Sequence, residues 1–315
     1  MSQSLSGEQQ YFASQHHIVG LSGASIRALM EQRLGYSIDR AQQFLDFQQS
    51  INRDLLRHPV ISANTYTAWF AKGGFNGRQA REFVVQFSVF SNLFLIAQLK
   101  KTINADTLEG MRASKEILAN EIGVVFKALD ARSSPVDVTG ESPEADLLAA
   151  EGTVEGGTFH FRAAHFEWLL RMASALDLTF SQVGKRHHGL AATLFFCDEL
   201  ARLYGSEDYM TSQAASYAVE NWAAAGFWEQ LISGFTAYNS QAAKKLPLAF
   251  FTYHAKIEAQ HAAHTQEELE ELYFTRDIDE VRFIDCGREM LNGVEAFWQG
   301  LDTQRKMDGS DDVRG

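Results

Sequence analysis

The sequence predicts an all-α protein, a bundle of helices preceded by extra helices at its N-terminus. Only four prolines occur in 315 residues, and alternating strand patterns are few. Apolar residues instead recur at helical spacing between glycine and proline stop signals. The pattern gives helices over 24–34, 38–56, 77–101, 105–130, 160–176, 187–204, 207–235, 247–273 and 277–303. Their ends coincide with Gly35, His58-Pro59, Gly73-Gly74 and Gly205, and Pro247 falls where it can open a helix near its first turn.

Three segments follow from this layout: an N-terminal helical extension over 1–57, a main helical domain over 58–304, and a polar tail over 305–315 that reads as disordered. Residues 131–157 interrupt the main domain with two of the four prolines, several Gly and Ser, and an acidic bias. A connection of that length reads either as a lid or as a tolerated surface loop.

Bulk composition excludes some function classes. Hydrophobic content of 45% and charged content of 22% are those of an ordinary globular protein. A net charge of −12 leaves no basic stripe for nucleic acid and gives no attraction to an anionic membrane surface. Cys197 and Cys286 lie far apart, without the spacing of a thiolate metal site. The most apolar run, 83–99, is broken by Gln86, Ser88, Ser91, Asn92 and Gln98 and reads as a buried helix rather than a span. The polar N-terminus lacks a signal-peptide layout, so a cytoplasmic location is expected.

The chemistry is carried by FFTYHAKIEAQHAAH, residues 250–264. At about 3.6 residues per turn, His254, Glu258 and His261 share one helix face. Phe250 and Phe251 continue that stripe on one side, Leu269 and Leu272 on the other, while Lys256, Gln260, Glu267 and Glu271 occupy the opposite face. Polar groups in a core stripe require partners, because burying each without one costs several kcal/mol. Upstream, Glu121, His165 and Glu220 also sit among apolar helical residues. Each alone reads more readily as a satisfied core group. Together the six supply three imidazoles and three carboxylates from four helices, a mixture that suits iron or manganese. The zinc-protease motif HExxH is absent, and a single ExxH does not make the paired ferritin-type arrangement.

The order Glu121, His165, Glu220, then His254-x3-Glu258-x2-His261 resembles the haem-oxygenase-like di-iron oxidases and oxygenases, which are related in fold to thiaminase-like and pyrroloquinoline-quinone-synthesis proteins. The local phrases agree: NEIG around Glu121, HFEWLLRMASALDL from His165, and HPVISANTYTAWFAKGGFNGRQAREFVVQFSVF leading into the long apolar helix. The likeness covers roughly residues 58–275. It implies a haem-oxygenase-like bundle of seven or so core helices and a centre of two iron ions, with manganese as the other metal, held by Glu121, His165, Glu220, His254, Glu258 and His261. It further implies O2 as co-substrate, an external electron donor, and a small organic substrate that is apolar, aromatic, or bears an amine or acid. A homodimer is the expected assembly.

Two departures stand out. The family places its first Glu and His close together on one helix, whereas 44 positions separate Glu121 from His165. The 131–157 insertion is therefore expected to split that helix, with Glu155 and Glu116 as substitutes for Glu121. Glu258 stands where Asp is commoner. At the site, His254 is expected to share one ion with Glu220, Glu258 to bridge or bind beside it, and His261 to hold the second ion.

Phe83, Phe87, Phe90 and Phe94 form a ring stripe that reads as core packing or as the wall of an apolar substrate pocket. His187 and His188 could hold a substrate carboxylate, or simply mark a loop-to-helix junction. Two other readings of the same fold remain: a metal-free thiaminase-like enzyme, for which Cys197 is the one candidate nucleophile, and a non-catalytic binding protein.

Overall fold

A computed structural model of the chain describes residues 5–128, 150–154, 157–161 and 165–311; the side chains of 109, 125–128, 150–154, 157–161, 257–264 and 308–311 lie outside the description. The chain opens with α1 (Gly7–Gln15), α2 (Gly23–Met30) and α3 (Ile38–Asp54), then the short α4 (Pro59–Ser62) and α5 (Thr65–Phe70). The body consists of α6 (Gly77–Ile103), α7 (Leu108–Glu121), α8 (His165–Ala175), α9 (Ala191–Glu199), α10 (Tyr209–Ala223), α11 (Phe227–Gln241), α12 (Ala249–Thr275) and α13 (Glu280–Asp311).

Helix α6 starts sharply because Asn76 and Gln79 cap one another, each side chain accepting from the other's backbone N–H at 3.0 Å. By length and a mean hydropathy of 1.4 it could cross a membrane; here it packs against α7, α8 and α9. Phe83, Val84 and Phe87 on it are fully buried. The Phe stripe is core packing: Phe83 meets Phe235 at 5.6 Å, Phe87 meets Phe251 at 5.7 Å, Phe90 meets Phe196 at 4.9 Å and Phe94 meets Tyr204 at 5.6 Å.

The main departure from the sequence expectation lies between α7 and α8. The helix expected over 105–130 ends at Glu121, and the one expected from 160 begins at His165. Between them run β1 (Val124–Ala128), β2 (Ala150–Val154) and β3 (Gly157–Phe161), an antiparallel sheet with β3 in the middle. Gly123 makes the turn, with φ of 74°, a left-handed conformation that a glycine after a helix adopts without strain. Its N–H donates to Asn120 O and that of Ile122 to Leu118 O, which closes the helix end. Val-Val-Phe then leaves as a strand, as β-branched and aromatic residues favour. Val124 opposes Phe161, so the excursion returns to the place from which it left.

A second break separates α10 from α11, which the sequence presents as one helix. Gly226 adopts φ of 91°, and the backbone turns there. At the other end of α9 the helix continues as a π-helical turn, Leu200–Tyr204, which seats Tyr204 fully buried. The tail expected to be disordered from 305 is helical through Asp311; Arg305 and Lys306 both pair with Asp302, at 2.6 and 2.5 Å.

The N-terminal helices share the core of the body. Phe44 and Phe47 on α3 are fully buried, with Phe44 5.2 Å from Tyr273 and Phe47 5.5 Å from Phe283. Arg40 donates to Tyr273 O and Arg276 O, capping the last carbonyls of α12. Glu270, also on α12, accepts from the Ser22 N–H at 2.9 Å and from Ser22 Oγ at 2.7 Å.

Burial pushes the Glu270 carboxyl above its ordinary range, against the pull of the Ser25 and Ser22 hydrogens. The folded state thus holds this proton to a higher pH than the unfolded state does. Its contribution to stability is greatest at acid pH and falls as pH rises from the ordinary carboxylate range through the raised folded value. Urea midpoints taken across the weakly acidic range should show this fall in the wild-type chain and lose it in Glu270→Gln. An unchanged profile in the variant would show that Glu270 is ionised in both states.

Candidate metal centre

The helix break at Glu121 assembles the site. Glu121 is the last residue of α7 and His165 the first of α8, and the sheet between them brings the two ends together. His165 Nδ1 lies 3.1 Å from Glu121 Oε1. His254, in the second turn of α12, completes the group: one donor atom from each of Glu121, His165 and His254 lies within 4.8 Å of the others. Both imidazoles are buried and the carboxylate is largely so.

Hydrogen bonds assign the imidazole tautomers. His254 Nδ1–H donates to Phe250 O at 2.7 Å, which leaves the lone pair on Nε2. A His165 that donates Nδ1–H to Glu121 likewise carries its lone pair on Nε2. Aromatic rings hold both in place. Trp228 stacks on His254 at 4.9 Å with planes 21° apart, Phe250 lies 4.3 Å from it, and Tyr253 and Trp168 flank His165 at 5.0 and 5.4 Å. The two imidazoles meet edge to face at 5.0 Å.

This donor set fits a divalent cation. Three donors bonded at about 2.1 Å to one ion lie roughly 3.0–3.6 Å from their neighbours, so pairs near the 4.8 Å limit need to close by about 1 Å when an ion binds. A carboxylate at the C-terminal end of a helix faces the negative pole of the helix dipole, and a cation there would offset that repulsion.

Glu220 stands apart from this group. Together with Glu268 it acts on the Lys101 ammonium and on the Tyr204 phenol, and Glu121 also acts on that phenol. Glu220 is half-buried on α10, one turn from Ser216, which accepts from the Lys101 ammonium, so its face lies toward the end of α6. Among the described residues, His254 is grouped with Glu121 and His165. The backbone of Glu258 and His261 continues α12, but their side chains lie outside the described residues, as do those of His160 and His264. Of the substitutes for Glu121, Glu116 is exposed on α7 and Glu155 is outside the described residues.

His187 and His188 sit on a single turn of 3-10 helix, where His188 Nε2 bonds Ser181 O at 2.9 Å and Arg186 pairs with Asp198. They form a loop-to-helix junction. Phe87 is the one member of the Phe stripe to reach the site's surroundings, at 5.9 Å from both Trp228 and Phe250. Sequence reading missed Trp168, Trp228, Tyr253 and Lys101. Tyr253 and Trp168 had a usable signal, since each is within three residues of a candidate ligand on its own helix. Two cavities, of about 700 Å³ beside Tyr11 and Met30 and about 250 Å³ beside Asn64 and Trp222, lie among other residues.

No protein-family profile matches the chain, and no curated protein matches it in sequence. Solved structures do match. A domain of unknown function with a haem oxygenase-like fold from Shewanella denitrificans aligns with a TM-score of 0.55 over 84% of this chain and 93% of that one, at 13% identity. The fold is haem oxygenase-like. A TenA homologue from Pseudomonas syringae gives a TM-score of 0.53 over 84% of this chain and 93% of its own, at 11% identity. Within this haem oxygenase-like bundle, the Glu121, His165 and His254 group lies where α7, α8 and α12 approach one another.

Replacing either imidazole should remove the cation site. His165→Ala and His254→Ala are expected to weaken Co(II) binding on the order of 100-fold or more, as loss of a ligand exceeds the usual cost of losing an outer-shell partner. Glu116→Gln, at an exposed position, should bind as the wild type does. Isothermal titration with Co(II) reads all three, and undiminished binding by His254→Ala would remove this residue from the site.

Proposed function

We propose that the chain is a non-haem di-iron enzyme, an O2-dependent oxidase or oxygenase acting on a small organic metabolite. The observation that carries this reading is the buried group of Glu121, His165 and His254. These three would hold one ion, and Glu220 with Glu258 and His261 the other. Iron held there would activate O2, which supplies the oxidising equivalents, with manganese as the other metal suited to the same donors.

The protein's own contribution is position and dryness. Donation from His254 Nδ1 to Phe250 O fixes the ring and aims Nε2 at the group. Trp228, stacked on that ring, keeps water from one side of it, and Tyr253 and Trp168 do the same at His165. An apolar or aromatic substrate suits walls of this kind. Phe87 stands behind them as support. In this reading the protein works in the cytoplasm as a homodimer, draws electrons from an external donor, and uses neither nucleic acid nor membrane.

The thiaminase-like alternative requires a nucleophilic thiol. Burial pushes the Cys197 thiol up to about 12, so it stays protonated and unreactive near neutral pH. Against a non-catalytic binding protein, the convergence of two imidazoles and a carboxylate in one buried group supports a metal-dependent reading.

Anaerobic loading with Fe(II), followed by exposure to O2, tests the proposal. Two irons per chain and an O2-dependent absorbance change are expected, both lost in His165→Ala. One zinc per chain, or no retained metal, would overturn it.

A further inference from the structure

Lys101 has no part in the centre as described so far. It stands near the end of α6, and its ammonium donates to Ser216 Oγ at 2.5 Å while lying 4.3 Å over the Tyr204 ring. Tyr204 is itself fixed: its hydroxyl donates to Gln98 Oε1 at 2.7 Å, and Gln98 Nε2 donates to Ser114 Oγ at 2.8 Å. The platform beneath the ammonium is therefore rigid. Ser216 and Glu220 lie one turn apart on α10, so an ammonium held at Ser216 sits on the Glu220 face. Glu268 and Glu220 are the two acids whose fields favour the charged form of Lys101, against burial, which lowers its pKa. Glu268 is exposed at the surface end of this arrangement, and Glu220 is half-buried at the inner end.

We propose that Lys101 is the internal counter-cation of Glu220, neutralising that carboxylate while no ion is bound to it and competing with a metal cation for it. The reason is electrostatic. A half-buried carboxylate gains from a positive charge on its own helix face, and Lys101, held at Ser216 one turn away, is placed to supply one. A metal ion that recruits Glu220 must then displace this attraction and also tolerate a nearby positive charge. The pairing stands on the placement of Lys101 at Ser216, one turn from Glu220. The competition rests on the reading of Glu220 as a ligand in the proposed centre.

The test uses the full-length chain in two states. In the metal-free state, Lys101→Met, Glu220→Gln and the double variant are unfolded in urea. Each single change should lower the midpoint, and the double variant should lose less than the two singles together. Additive losses would overturn the pairing. With Mn(II), equilibrium dialysis of Lys101→Met should show binding roughly tenfold tighter than wild type, as expected when one nearby positive charge is removed. That gain should vanish in the Glu220→Gln background, while Lys101→Arg, which keeps the charge, should bind as the wild type does. Unchanged Mn(II) affinity in Lys101→Met would overturn the competition. Absence of Mn(II) binding by the wild-type chain would overturn both the competition and the metal reading, and the metal-free cycle would still decide the pairing.

Discussion

The contact between His165 Nδ1 and Glu121 Oε1, at 3.1 Å, is the interaction around which the body of the bundle is arranged. It joins two residues 44 positions apart, at the end of one helix and the start of the next. Without it, a carboxylate at a helix C-terminus would face the helix dipole unbalanced, and a buried imidazole would lack a partner. The sheet makes this contact affordable in entropy. Because Val124 pairs with Phe161, the excursion is clamped at its base, and the helix ends are held together however the segment beyond Ala128 is arranged. The insertion thus returns the chain to within hydrogen-bond reach of the helix end from which it left.

Around this contact the bundle provides an aromatic shell. Trp228 and Phe250 enclose His254, while Tyr253 and Trp168 enclose His165 and touch each other at 5.0 Å. Phe87 and Phe251 pack behind them. A shell of this kind lowers the local dielectric, which strengthens every interaction inside it and raises the cost of any group left unpaired. Polar groups nearby include one bonded set, while the buried Trp228 indole N–H beside His254 has no hydrogen-bond partner among the described residues. Tyr204, Gln98, Ser114 and Thr102 form that set, linked through bonds of 2.7–2.9 Å across α6, α7 and the π-helical turn.

Most of the helices were legible because a buried helix face imposes a period of about 3.6 residues on the apolar positions. His254 was legible for a related reason, as a polar group inside such a stripe. Glu121 could be named from its NEIG phrase, but its closeness to His165 could not, because pairing across a sheet leaves no trace in residue spacing. The strands were partly visible in Val124-Val125-Phe126 and in the alternation of Gly157 to Phe161, yet these short runs continue apolar helices and were absorbed into them. Gly123, one residue beyond Ile122, was the signal that should have ended the helix. The neighbours of Glu220 were illegible for a different reason. Periodicity tells which side of α10 is buried, whereas the neighbours met there, such as Lys101 at Ser216, depend on the rotation of α10 against α6.

Helix α12 is anchored at both ends, and this bears on how the centre can hold an ion. Near its start, Phe250 and Phe251 lock it against α6 and α11, with His254 one turn further on. Near its far end, Glu270 is held by Ser22, and Arg40 caps the final carbonyls. The N-terminal extension is therefore a brace for the helix that carries H-x3-E-x2-H, not an appendage to it. Fixing both ends of a 27-residue helix fixes the rotation of everything between them, including the backbone positions of Glu258 and His261. A chain that placed ligands on α12 without such bracing would have to pay their ordering entropy each time a cation bound. Here folding of the N-terminal helices has already met much of that cost, so the extension and the centre belong to one design.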